Sequence, residues 1–135
     1  MSGRSPRRRQ QLVLVVDDDP AVLDSLRALL SSFDFLVSTA SNAGEAILEL
    51  GAQRPDVILT DIYMPQGDGY ELLEALRSFR DPVPVIAMSA KQATFGADHL
   101  GMAQRLGAVA VIDKSLLAER LIEVINAAIA GGPRS

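Results

Sequence analysis

The chain has 135 residues, 48% hydrophobic and 22% charged, enough for one globular domain with a sizeable core and too few for a second. It contains no cysteine, which excludes a disulfide framework, a zinc–thiolate site and a cysteine nucleophile, and suits a reducing, cytoplasmic location. The formal charge is -4, but Arg4, Arg7, Arg8 and Arg9 all stand near the N-terminus; the other nine bases face seventeen acids, a body of -8 that argues against nucleic acid as the main partner.

Residues 1–10 read as a disordered basic arm rich in Ser, Pro and Arg, with no long apolar stretch behind it to make a secretory signal. No run is long enough to span a membrane. Over residues 11–130, apolar strand-like runs at about 12–16, 35–39, 56–60, 84–88 and 108–112 alternate with helix-like segments. That alternation predicts an α/β fold, a parallel sheet covered on both faces. Asp19 and Pro20 read as the N-cap and first position of a helix carrying Val22, Leu23, Leu26, Leu29 and Leu30 at helical spacing. Asn42 with Glu45, and Asp68 with Glu71, look like capping boxes opening the next two helices. Between Ser89 and Gly107 the helical pattern is weakest, broken by Gly96 and Gly101. The last helix, about 116–130, places Leu117, Leu121, Ile122, Ile125 and Ile129 on one face, and Gly131-Gly132-Pro133 ends it, leaving 131–135 as a tail.

The chemistry collects at the ends of the apolar runs. Asp17 and Asp18 close the first run, Asp61 the third, and Lys114 follows the fifth. In neighbouring parallel strands these ends share one sheet edge, where open α/β folds bind ligands. Carboxylates so close repel one another unless a cation neutralises them, so the arrangement asks for a metal. Mg²⁺ suits an all-oxygen site that retains several waters; Asp18 and Asp61 would hold it, with Asp17 acting through a water. Asp61, followed by an exposed turn, can act as a nucleophile and take a phosphoryl group as an acyl phosphate. Such a transfer needs an in-line donor and cations or hydrogen-bond donors on the equatorial oxygens; Lys114 and the Ser89 hydroxyl would supply them beside the metal.

Val15-Val16-Asp17-Asp18-Asp19-Pro20, Pro55 to Pro65 around Asp61, Asp68-Gly69-Tyr70-Glu71-Leu72-Leu73, Met88-Ser89-Ala90, and Gly107-Ala108 leading to Lys114 together resemble the receiver domains of two-component response regulators. The resemblance covers about residues 11–130. It implies a flavodoxin-like sheet in the order 2-1-3-4-5 with five helices and the site at the switch point. It also implies Asp61 as phosphoacceptor, Asp17 and Asp18 as the acidic pair, the Tyr63 carbonyl as a backbone Mg²⁺ ligand, and Ser89 and Lys114 as the phosphate-sensing pair. The implied partners are a histidine kinase or phosphotransfer protein and a downstream protein target; the implied activity is limited to Mg²⁺-dependent self-phosphorylation and autodephosphorylation. Three positions depart from the family pattern. Ser115 stands where a proline usually follows the lysine, Val111 where an aromatic switch residue is common, and the Ser89-to-Lys114 interval is a few residues long. They bear on the output switch and leave the phosphorylation chemistry intact.

Plainer readings stand beside these. Asp19 before Pro20 is a helix cap. Gly67 and Gly69 serve turn geometry, since no phosphate-cradling glycine pattern is present. His99, the sole histidine, has no partners for a metal site and reads as surface, and Met88 and Met102 as core. Two other functions compete. A haloacid-dehalogenase-like phosphatase would use Asp17 as its nucleophile, reading Asp17-x-Asp19 as its opening motif, but Ala21 stands where Thr or Val is usual. A receiver-shaped interaction module that is never phosphorylated would leave the acids, Ser89 and Lys114 without a task. As no output domain follows Ile129, signalling is expected to pass through protein contacts unless the chain is part of something longer.

Overall fold

The computed structural model of the chain describes residues 10–61, 69–80, 82–89 and 107–131. Its strands are β1 (Leu12–Val16), β2 (Leu36–Ala40), β3 (Val57–Asp61), β4 (Val85–Ser89) and β5 (Ala108–Asp113). The helices among the described residues are α1 (Pro20–Ser32), α2 (Ala43–Ala52), α3 (Gly69–Arg77) and α4 (Leu117–Gly131), and a 3₁₀ turn, Lys114–Leu116, joins β5 to α4. The predicted fourth helix and His99 and Met102 within it lie outside the described residues, as do Asp68 of the second capping box and residues 1–9 of the arm.

All five strands are parallel, in the order β2-β1-β3-β4-β5, the doubly wound α/β arrangement that the alternation predicts. Successive side chains of a strand point to opposite faces, and the two faces build two cores. Val13, Val15, Val57, Leu59, Ile86 and Met88 pack with α1 and α4, including Leu26, Leu30, Leu121 and Ile125. Leu14, Val16, Ile58 and Val85 pack on the other face with Ala43, Ala46 and Leu50 of α2 and Leu72 and Leu76 of α3. β1 and β3 are buried at every position, which is why β1 and the first three residues of β3 are unbroken apolar runs. β2 is an edge strand, and Leu36 at its start is exposed.

Helix starts follow the predicted chemistry. The Asp19 side chain accepts the Ala21 N–H at 2.9 Å, with Pro20 as the first helical residue. Asn42 accepts the Glu45 N–H at 2.8 Å; the Glu45 carboxylate reaches back one residue further than a standard box, accepting from the Ser41 N–H at 2.7 Å and its hydroxyl at 2.8 Å. α1 ends without a glycine: Asp34 takes the left-handed conformation, φ 71°, and Gln10 donates to its carbonyl and its side chain at 3.1 and 3.0 Å. Gly107, at φ 72°, occupies the same region just before β5, where a Cβ would be strained.

Candidate functional site

The order of the strands reverses between β1 and β3, so the connections leaving their C-terminal ends run to opposite faces and leave a crevice. Asp17 and Asp18 follow β1 and Asp61 is the last residue of β3, paired in register with Met88. Each of the three acids offers an oxygen, and these oxygens lie within 4.8 Å of one another. Asp17 is fully buried, Asp61 is 9% exposed and Asp18 is open to solvent.

Asp17 is held tightly. Its N–H donates to the Ala40 carbonyl at 3.1 Å, and its Oδ1 accepts the Asp19 N–H at 2.9 Å. Its Oδ2, fully buried, pairs with the Lys114 ammonium at 2.7 Å. The same ammonium donates to Asp61 Oδ2 at 3.4 Å. Lys114 follows β5, two strands away from β3 and three from β1, so its side chain reaches across the end of the sheet. Burial alone would lower its pKa, but the carboxylates of Asp17 and Asp61 outweigh that and raise it.

Three carboxylates and one ammonium carry a formal charge of -2, which a divalent cation balances. The donors are all oxygen, they lie within reach of one ion, and one acid is on the solvent side. The residues present therefore fit a hard divalent ion that keeps part of its water shell.

Of the residues singled out in the sequence, Asp17, Asp18, Asp61 and Lys114 converge. Ser89 ends β4, half-buried, in register with Asp113 and one step beyond the partner of Asp61. Tyr63 lies outside the described residues. Val111 is 42% exposed on β5. Asp17, the nucleophile of the phosphatase reading, is sealed from solvent beneath Lys114. One contributor was missed. Asp113 accepts the Ser115 N–H at 2.8 Å and the Ser115 hydroxyl at 2.7 Å, capping the 3₁₀ turn that starts with Lys114. The signal was present as an Asp two residues before a Ser at the entry of a helix.

Residues 13–126 match the response regulator receiver domain family. Among curated proteins, response regulator MprA of Mycolicibacterium vanbaalenii is 40% identical over 79 residues, 58% of this chain; the match spans about a third of the relative's length, 34%. Among solved structures, a CheY-like response regulator receiver domain protein from Methanospirillum hungatei superposes with a TM-score of 0.78 at 27% identity, covering 90% of this chain and 95% of that one. The signal receiver domain of a histidine kinase from Syntrophus aciditrophicus gives 0.76 at 26% identity, covering 93% and 94%. The family match over most of the chain, the sheet order and the acids gathered at its switch point agree, and the chain belongs to the response regulator receiver domains.

Proposed function

We propose that this receiver accepts a phosphoryl group on Asp61 from a histidine kinase or a phosphotransfer protein, with Mg²⁺, and passes the signal on by changing its contacts with a downstream protein. The observation that supports this most is the convergence of Asp17, Asp18 and Asp61 within 4.8 Å under an ammonium that touches two of them. An Asp61 oxygen forms the new P–O bond while the P–N bond of a phosphohistidine breaks, and the imidazole leaves with the electron pair. With acetyl phosphate the broken bond is P–O and acetate leaves. Magnesium, when bound, neutralises charge on the phosphoryl oxygens. Asp18 and Asp61 would hold it together with the Tyr63 carbonyl, and Asp17 would act through a water. Lys114, already on Asp61, would follow the phosphoryl group, and the Ser89 hydroxyl would donate to a further oxygen. Loss of the phosphoryl group to water resets Asp61. The acidic body of the chain favours protein over nucleic acid as this domain's own partner. Among the described residues no helix is long and apolar enough to cross a membrane.

Incubated with acetyl phosphate and Mg²⁺, the chain is expected to gain one base-labile phosphate, read by Phos-tag electrophoresis or intact mass, and Asp61→Asn to gain none. Equal labelling of Asp61→Asn would place the acceptor elsewhere.

A further inference from the structure

Among Asp17, Asp61 and Lys114, the two acids are fixed by strands and their immediate exits, whereas the lysine rides on a three-residue 3₁₀ turn. A lysine side chain has four rotatable bonds and ordinarily stays in solvent. Here it is only 24% exposed and lies against two carboxylates. The backbone beneath it is closed on both sides. Before it, Asp113 Oδ1 accepts both the N–H and the hydroxyl of Ser115, at 2.8 and 2.7 Å, which bridges over Lys114 from the preceding residue to the following one. After it, the Leu117 N–H returns to the Lys114 carbonyl. The backbone at Lys114 is thus held, and with it the direction in which the side chain leaves the turn.

We propose that Asp113, through Ser115, is a positioning residue that aims Lys114 at Asp17 and Asp61 for phosphoryl transfer. This rests on the reading of Asp61 as phosphoacceptor and adds to it the device that presents the lysine. Asp19 makes the same bond around Pro20 as the cap of α1; what sets Asp113 apart is that Ser115 adds its hydroxyl and that the enclosed residue is the lysine that reaches both acids. Asp113 is also the last residue of β5 and stands in register with Ser89, so the turn is anchored to the same sheet edge that presents the acids. A side chain whose direction is set by a bond to the neighbouring backbone loses its aim when that bond is removed, and ångström-scale misplacement is costly in a transfer that depends on position.

The test is a mutant cycle read by the rate of labelling with acetyl phosphate at saturating Mg²⁺. Asp113→Ala is expected to label roughly tenfold more slowly than wild type, and Asp113→Asn, which keeps an acceptor oxygen in place, to stay within about threefold. In a Lys114→Ala background, adding Asp113→Ala should bring no further loss, because a residue that acts through the lysine has nothing left to position. The proposal is overturned if Asp113→Ala labels like wild type, if Asp113→Asn is as slow as Asp113→Ala, or if the two losses multiply in the double variant. A wild-type chain that takes no label at all would count against the phosphoacceptor reading and leave the turn to be decided by urea unfolding of the same four chains. Lys114→Ala must then cost less stability in the Asp113→Ala background than in wild type; equal costs would overturn the positioning role.

Discussion

One ammonium serves two acids at the centre of the site, and the consequences are specific to Lys114. Removing it leaves Asp17 buried with its Oδ2 facing no cation, and the loss of one partner from a buried pair is far costlier than the loss of a surface pair. Lys114→Met is expected to lower stability by about 2–3 kcal/mol in Mg²⁺-free buffer. Because a divalent cation can take over the neutralising task, saturating Mg²⁺ should stabilise Lys114→Met more than wild type, as measured by urea unfolding with and without the ion. Equal stabilisation of both chains would show that metal and ammonium do not share these carboxylates. The pH dependence has a definite sign. The folded pKa of Lys114 lies above the ordinary 10.5, so its contribution is complete below that value and is lost only as the pH rises through the raised one. Near neutral pH this group adds no slope, and any alkaline loss it causes in wild type is absent from Lys114→Met. Its place after the fifth apolar run was legible from the sequence. Its reach to Asp17 was not, because that contact crosses the ends of strands that are remote in sequence and depends on their register.

At the scale of the elements, the caps show how far local chemistry carries. Asp19-Pro20 and Asn42 were legible because a helix start leaves N–H groups that only a few side chains can satisfy. Asn42→Ala should cost about 1 kcal/mol, seen as a lower urea midpoint with an unchanged slope; no change would mean that α2 does not depend on its cap. The Glu45 carboxylate is held below its ordinary pKa by the Ser41 N–H first and the Ser41 hydroxyl second. That contribution is therefore present above the ordinary carboxylate value and lost on acidification through the lowered one. β2, β3 and β4 each begin one residue later than the apolar runs suggested and end on Ala40, Asp61 and Ser89. For β3 and β4 the late end has a physical cause: ladder hydrogen bonds continue through the polar Asp61 and Ser89 as readily as through an apolar residue, so hydropathy alone ends these strands early. The end of α1 was hidden for a different reason. Asp34 fills the left-handed position that glycine usually marks, and its partner Gln10 belongs to the segment read as arm.

Across the whole molecule, one sheet separates two cores, and β3 feeds both. Ile58 faces the core shared with α2 and α3, Leu59 the core shared with α1 and α4, and both are fully buried. Adjacent residues of one central strand thus report on opposite sides of the protein. If the sheet couples the layers, each core loses its support when the other melts, and the domain unfolds in one transition. Ile58→Ala and Leu59→Ala should then each lower stability by about 2–5 kcal/mol. Both should shift the urea midpoint identically whether followed by far-UV circular dichroism or by the fluorescence of a probe placed in one layer. Transitions that separate for either variant would mean that one layer can melt alone. The same coupling bears on the site, because Asp61 is the last residue of β3 and Lys114 and Asp17 close over it from either side. Destabilising either layer should therefore weaken Mg²⁺-dependent stabilisation only when β3 itself unfolds. Both variants, while folded, are expected to keep the wild-type dependence of midpoint on Mg²⁺ concentration.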